Sequence, residues 1–296
     1  MSKPQPVAAV DTIAVPPLPG WIKVTSSDTL EDAAFRAGAA LAHLNLVSGQ
    51  TAVPQALWRE RLALAAAEVC AGLAGRRETL AGLRDAVHLT RPGDDPGPAG
   101  AILRQWSRAV ARPISAGNLH RAIIGATVEQ ITLCLDATGC TPVDRAARVI
   151  EAVLADMPRA ETAALILADT VLAKSMGRDD ILPLLSLTLK LRDLRLRADD
   201  LRLACYRAVV AGAGQAVPVA ADLARRAARL QATAPKLRAK GAARAVDLFL
   251  SHDALAPTAL AAFMSDRAAR RLCDRLVQLG AVRELTGRDS FRLYGV

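Results

Sequence analysis

Apolar residues recur every three to four positions from Asp28 to about residue 280, and nowhere before residue 281 do apolar and polar residues alternate over the length of a strand. Such a chain has no sheet to build a core on, because a half-buried strand needs side chains that alternate with period two. The fold expected is all-α, a multi-helix bundle. Leu30, Ala33, Ala37, Leu41 and Leu44 mark a first helix capped by Asp28 or Thr29, and Pro54 opens a second that runs through Trp58, Leu62 and Val69 to Gly75. A third covers Arg77 to Leu89 and is ended by the Pro- and Gly-rich segment from Arg91 to Gly100. Further helices are predicted over 101–111, 116–136, 142–155, 160–175, 179–192, 199–210 and 218–232.

The two ends read differently from this body. Residues 1–27 hold Pro4, Pro6, Pro16, Pro17 and Pro19 without periodicity and are expected to be a flexible leader, docked by Trp21. Residues 28–235 form the helical domain. From 236 the pattern predicts helices over 242–251, 257–264 and 266–279, then two short β-like segments, Val282–Leu285 and Ser290–Tyr294, joined across Gly287. Three helices followed by a hairpin is the order of a winged helix-turn-helix, expected here as a C-terminal domain over 236–296 with one small β-hairpin.

A chain of 296 residues suggests about two domains at roughly 100–200 residues each. Its 52% hydrophobic content comes largely from Ala and Leu, and the longest charge-free stretch, Ala37–Trp58, is interrupted by His43, Asn45, Gln50 and Pro54, so no clean membrane-spanning run is expected. The opening segment lacks the apolar stretch of a signal peptide, and a cytoplasmic location is expected. Cys70, Cys134, Cys140, Cys205 and Cys273 are odd in number and scattered, which fits free thiols in a reducing compartment. Aromatic residues make up 3%, too few for a platform on which single-stranded bases stack.

Signals for catalysis are weak. His43, His88, His120 and His252 have no partner at ligand spacing, so no metal or other cofactor is expected. The acidic pairs Asp94/Asp95, Asp179/Asp180 and Asp199/Asp200 fall at helix starts and turns, where carboxylates favour the helix dipole. The stretch from Arg84 to Gly97 places a His before a Gly-containing loop and is similar to the phosphate-binding loop of Fic nucleotidyl transferases. It departs from that motif where Asp94-Asp95-Pro96 stands in place of the Asn-Gly-Arg that binds phosphate. The expectation is a non-enzymatic protein; a degenerate Fic-like or nucleotide-binding helical protein is the competing class.

The C-terminal charge points elsewhere. The chain carries a formal charge of +9, and residues 236–296 hold eleven Lys and Arg against six Asp and Glu. On the helix predicted over 266–279, Ala268, Leu272, Leu276 and Leu279 form the apolar face, leaving Arg267, Arg270 and Arg271 to solvent, with Arg283, Arg288 and Arg292 on the hairpin. These six arginines are the candidate contacts to double-stranded DNA, with Arg270 expected at a base edge and Arg288 at a phosphate. The helical domain is expected to bind a protein partner or a second copy. A protein-protein adaptor without DNA binding is the other alternative.

The strings DAAFRAGAALAHL, VPQALWRERLALAAAEVC, LRDAVHLTRPGDDPGPAG, ADTVLAKSMG, APKLRAKGA and RELTGRDSFRLYG together resemble a bacterial family of uncharacterised proteins, a domain of unknown function often found on plasmids. The resemblance covers nearly the whole chain after the leader. The carboxyl end is also similar to the winged helix-turn-helix that closes a second uncharacterised group described as Fic-like. The resemblance implies the boundary near residue 235 and the winged helix, and brings no activity with it.

Overall fold

The computed structural model describes residues 15–91 and 93–296. Its helices are α1 (Leu30–Ser48), α2 (Gln55–Leu73), α3 (Leu80–His88), α4 (Gly97–Val110), α5 (Ala116–Ala122), α6 (Val128–Leu135), α7 (Pro142–Asp156), α8 (Glu161–Ser175), α9 (Ala198–Thr233), α10 (Ala242–Phe249) and α11 (Asp266–Gln278). Two strands, β1 (Arg283–Glu284) and β2 (Tyr294–Gly295), pair antiparallel. The molecule is mostly helical, as the periodicity requires.

Burial explains the layering. In α8 every residue from Ala163 to Ala173 is buried, so this helix is buried all round and forms the centre of the bundle, with α7 packed along it. α1 and α7 pack on α9, and α2 packs on α4. Side-chain caps from Thr29, Thr79, Ser115, Thr127, Thr141 and Ser265 start six of the helices, each hydroxyl accepting an amide that no helical carbonyl reaches.

Three segments of the helical body depart from the sequence reading, and after residue 235 the helix expected over 257–264 is only a 3-10 turn at Pro257–Leu260. The helix expected over 116–136 is two helices, separated at Gly125, whose φ of +86° ends the first turn run. The segment expected as a helix over 179–192 is irregular, with 3-10 turns at Leu185–Leu187 and Asp193–Arg195. Its backbone is organised from α8: Asp169, fully buried, accepts the amides of Leu184, Leu185 and Ser186 and the Ser186 hydroxyl at 2.6–3.3 Å. The helices expected over 199–210 and 218–232 are the single 36-residue α9, about 54 Å long at 1.5 Å per residue, with Pro218 inside it. Two residues before that proline the buried Trp58 Nε1 donates to the Ala216 carbonyl at 3.0 Å, tying α2 to the helix.

α9 is also the one helix among the described residues long and apolar enough to cross a membrane, and 56% of its most apolar stretch is buried in the protein. Of the leader, residues 1–14 lie outside the described residues. Residues 15–27 lie against the bundle through buried Val15 and Ile22, while Trp21 is 53% exposed and stacks on Phe35 of α1. Arg36 and the Thr25 hydroxyl both bond Asp28 and, with the Thr25 interaction strongest, hold its carboxyl down at about 2.

Candidate nucleic-acid interface

Downstream of α9 the order is α10, an extended residue Leu255 bridged to Tyr294 of β2, a 3-10 turn at Pro257–Leu260, α11, and the β1–β2 pair. Phe249, Leu255, Leu260, Leu272, Leu276 and Tyr294 belong to the same continuous apolar core as the helical body. A buried polar cluster joins the two as well. Asp253 is bound by Arg84 of α3 at 2.6 and 3.1 Å and by Arg61 of α2, and its amide donates to Glu60 of α2 at 2.8 Å. Burial works to raise the Asp253 carboxyl, but the hydrogen bond from Arg84 and the charges of Arg61 and Arg84 outweigh it and hold it below the ordinary carboxylate range. Burial pushes Glu60 up.

On α11 the buried side chains are Ala269, Leu272, Cys273 and Leu276, so the apolar face is turned from the expected one: Ala268 and Leu279 are only half-buried. The helix is covered on one side by the 257–260 turn and on another by β1, which widens its buried stripe. This rotation separates the exposed arginines. Arg267, Arg271 and Arg275, four residues apart, form one stripe, while Arg270 lies on the other flank and pairs with Asp266 at 2.8 Å.

The Arg267–Arg271–Arg275 stripe faces the segment between α9 and α10. Together they line a groove of about 570 Å³ that carries Lys236, Arg238, Arg267, Arg271 and Arg275 and no acidic residue. None of these five cations forms an ion pair with a carboxylate of the described residues. Next to this connector Gly241 has a φ of +88°, and a Cβ there would lie 2.8 Å from the Phe263 ring, against which Arg244 stacks at 4.8 Å.

The remaining expected contacts lie elsewhere. Arg288, expected at a free wing tip, is half-buried and paired with Asp85 of α3, and Arg292 lies between Glu284 and Asp289. Arg283 is near α9, beside Arg226. Of the six sequence candidates, the groove therefore gathers Arg267 and Arg271 and adds Lys236, Arg238 and Arg275. Periodicity carried a signal for Arg275, at i+4 from Arg271; for the 236–240 cations it carried none, since they lie in a connector.

The His88–Gly97 loop is a connector between α3 and α4. The Asp94 amide donates to the Arg91 carbonyl and the Gly97 amide to the Asp95 carboxylate, so these amides are already taken. His88 is depressed by burial. Among the described residues no three His, Cys, Asp or Glu side chains gather as metal ligands.

A family model described as a protein of unknown function (DUF1403) matches residues 7–296. The chain belongs to the DUF1403 family. Neither curated proteins nor solved structures give a match. The DUF1403 match runs through residue 235 without a break, and the helical body and the C-terminal part share the apolar core and the Asp253 cluster.

Proposed function

We propose that this DUF1403 protein is a binding protein for double-stranded DNA and that the groove between α11 and residues 236–239 holds the duplex backbone. The observation that carries this reading is the set of five cations without carboxylate partners around an acid-free groove. Exposed cations left unpaired on adjacent elements raise the local potential, which is the electrostatic footprint of a phosphate track. The element order from α10 to β2, with the Leu255–Tyr294 bridge, supports reading the C-terminal part as a winged helix with α11 as the helix presented to DNA. In this reading the wing is docked on α3 through Arg288, and the 236–239 connector takes its place as the second phosphate contact.

A salt titration of duplex binding tests it. Affinity of the parent should fall steeply with salt, and Arg271→Ala or Lys236→Ala should each flatten the slope by about one unit, as one released counterion fewer requires. Arg270→Ala, already satisfied by Asp266, should leave the slope unchanged. Absence of binding by the parent at low salt defeats the proposal and leaves the adaptor reading in its place.

A further inference from the structure

Away from the groove, where the last turns of α9 meet the residues that follow α11, four arginines converge on a cavity of about 350 Å³ lined also by Asp222, Gly280 and Val282. Asp222 is the one acidic side chain in that lining and is used by Arg225 at 3.1 Å and Arg226 at 2.6 Å; Val296, the last residue of the sequence, lines the cavity too, and its carbonyl oxygen accepts from Arg61 at 3.3 Å. Arg229 and Arg283 have no carboxylate partner among the described residues. The guanidinium of Arg229 lies where a side chain at Gly280 would stand, since a Cβ there would come within 2.5 Å of its terminal nitrogen. It spends one donor on the Leu279 carbonyl at 3.5 Å, out of the five a guanidinium carries. Arg283 is an exposed residue whose affinity for a proton is lowered by partial desolvation and by the charges of Arg226 and Arg61. Arg229 and Arg283 thus reach the cavity with donor capacity that Asp222 does not use.

We propose that this pocket is a binding site for a phosphate-type oxyanion carried on a small molecule, with the phosphoryl group seated between Arg229 and Arg283. Two guanidinium forks arriving from different elements match a tetrahedral dianion, whose oxygens accept from both at once; a single carboxylate neutralises only one of them. A cavity of this size, near the lower end of the roughly 300–1,000 Å³ of ligand pockets, leaves space for a small organic body beside the phosphate. The ligand would clamp β1 to α9. This inference is independent of the duplex proposal.

Thermal melting of the full-length protein in inorganic phosphate, against sodium chloride of matched ionic strength, tests the site. Phosphate should raise Tm saturably beyond chloride, and Arg229→Gln and Arg283→Gln should each weaken that response by about tenfold, the loss expected for one charge-assisted hydrogen bond. Arg271→Gln in the groove should leave it intact. Without phosphate, Arg283→Gln should melt at or above the parent, because a like-charge contact is removed; a purely structural arginine predicts a lower Tm. No saturable rise in the parent, or a rise unchanged in both variants, overturns the proposal. So does flattening of the duplex salt slope by Arg283→Gln with no phosphate response, which assigns these arginines to the DNA backbone. A parent that responds to phosphate yet binds no duplex upholds this site while defeating the groove.

Discussion

Asp169 is a residue whose surroundings change its chemistry. It sits at 0% exposure in the centre of α8, where burial outweighs four hydrogen bonds and raises its carboxyl to about 6 from 3.8. A group that holds its proton more tightly folded than unfolded stabilises the fold most below the unfolded value, and that contribution is lost as pH rises through the folded value. Between about pH 4 and pH 6 the parent should therefore lose on the order of 3 kcal/mol relative to Asp169→Asn, two pH units at 1.36 kcal/mol each. Urea midpoints of the two proteins across that range check this, and a constant gap between them contradicts it. Asp169 was not legible in the sequence, because one Asp in an apolar helix says nothing of which amides it meets. The same limit applied to the arginines. Their number and exposure on α11 were readable, whereas the pairing of Arg270 with Asp266 and Arg288 with Asp85 depends on neighbours that only the packed chain supplies.

Elements were legible in proportion to how local their causes are. α1, α2, α7 and α11 follow from apolar spacing and from Ser, Thr or Pro at their starts. The segment over 179–192 has the composition of a helix, yet its amides bond a side chain on α8, a long-range partner that outcompetes local propensity. The long α9 went the opposite way: Pro218 signals a break, but packing against α1 and α2 keeps the helix continuous. Two glycines of α9 separate propensity from packing. Gly212 lies against the irregular segment, and a Cβ there would stand 2.5 Å from the Leu184 carbonyl oxygen, whereas Gly214 has nothing within 4 Å. Gly214→Ala should stabilise the protein by up to about 1 kcal/mol through helix propensity, while Gly212→Ala should cost roughly 1–3 kcal/mol despite the same gain. Equal effects of the two substitutions in thermal melts would show that the close approach to Leu184 carries no weight.

At the scale of the whole molecule, the C-terminal part is bound to the helical body by a shared core and by Asp253 between Arg61 and Arg84. Asp253→Ala leaves two largely buried guanidinium groups without their carboxylate and should cost about 3 kcal/mol. Because the core is continuous, α2 and α11 should lose hydrogen-exchange protection at the same denaturant concentration in the parent, and α11 should lose it first in the variant; protection lost separately in the parent would mean two independent units. The sequence by itself determined the helical class, most helix positions and the concentration of positive charge after residue 235, since periodicity, caps and charge are local properties of the chain. Only the tertiary structure decided which cations remain unpaired. An ion pair joins residues far apart in sequence, such as Arg288 and Asp85, and the charge left over for a ligand is what remains after the fold has made those pairs.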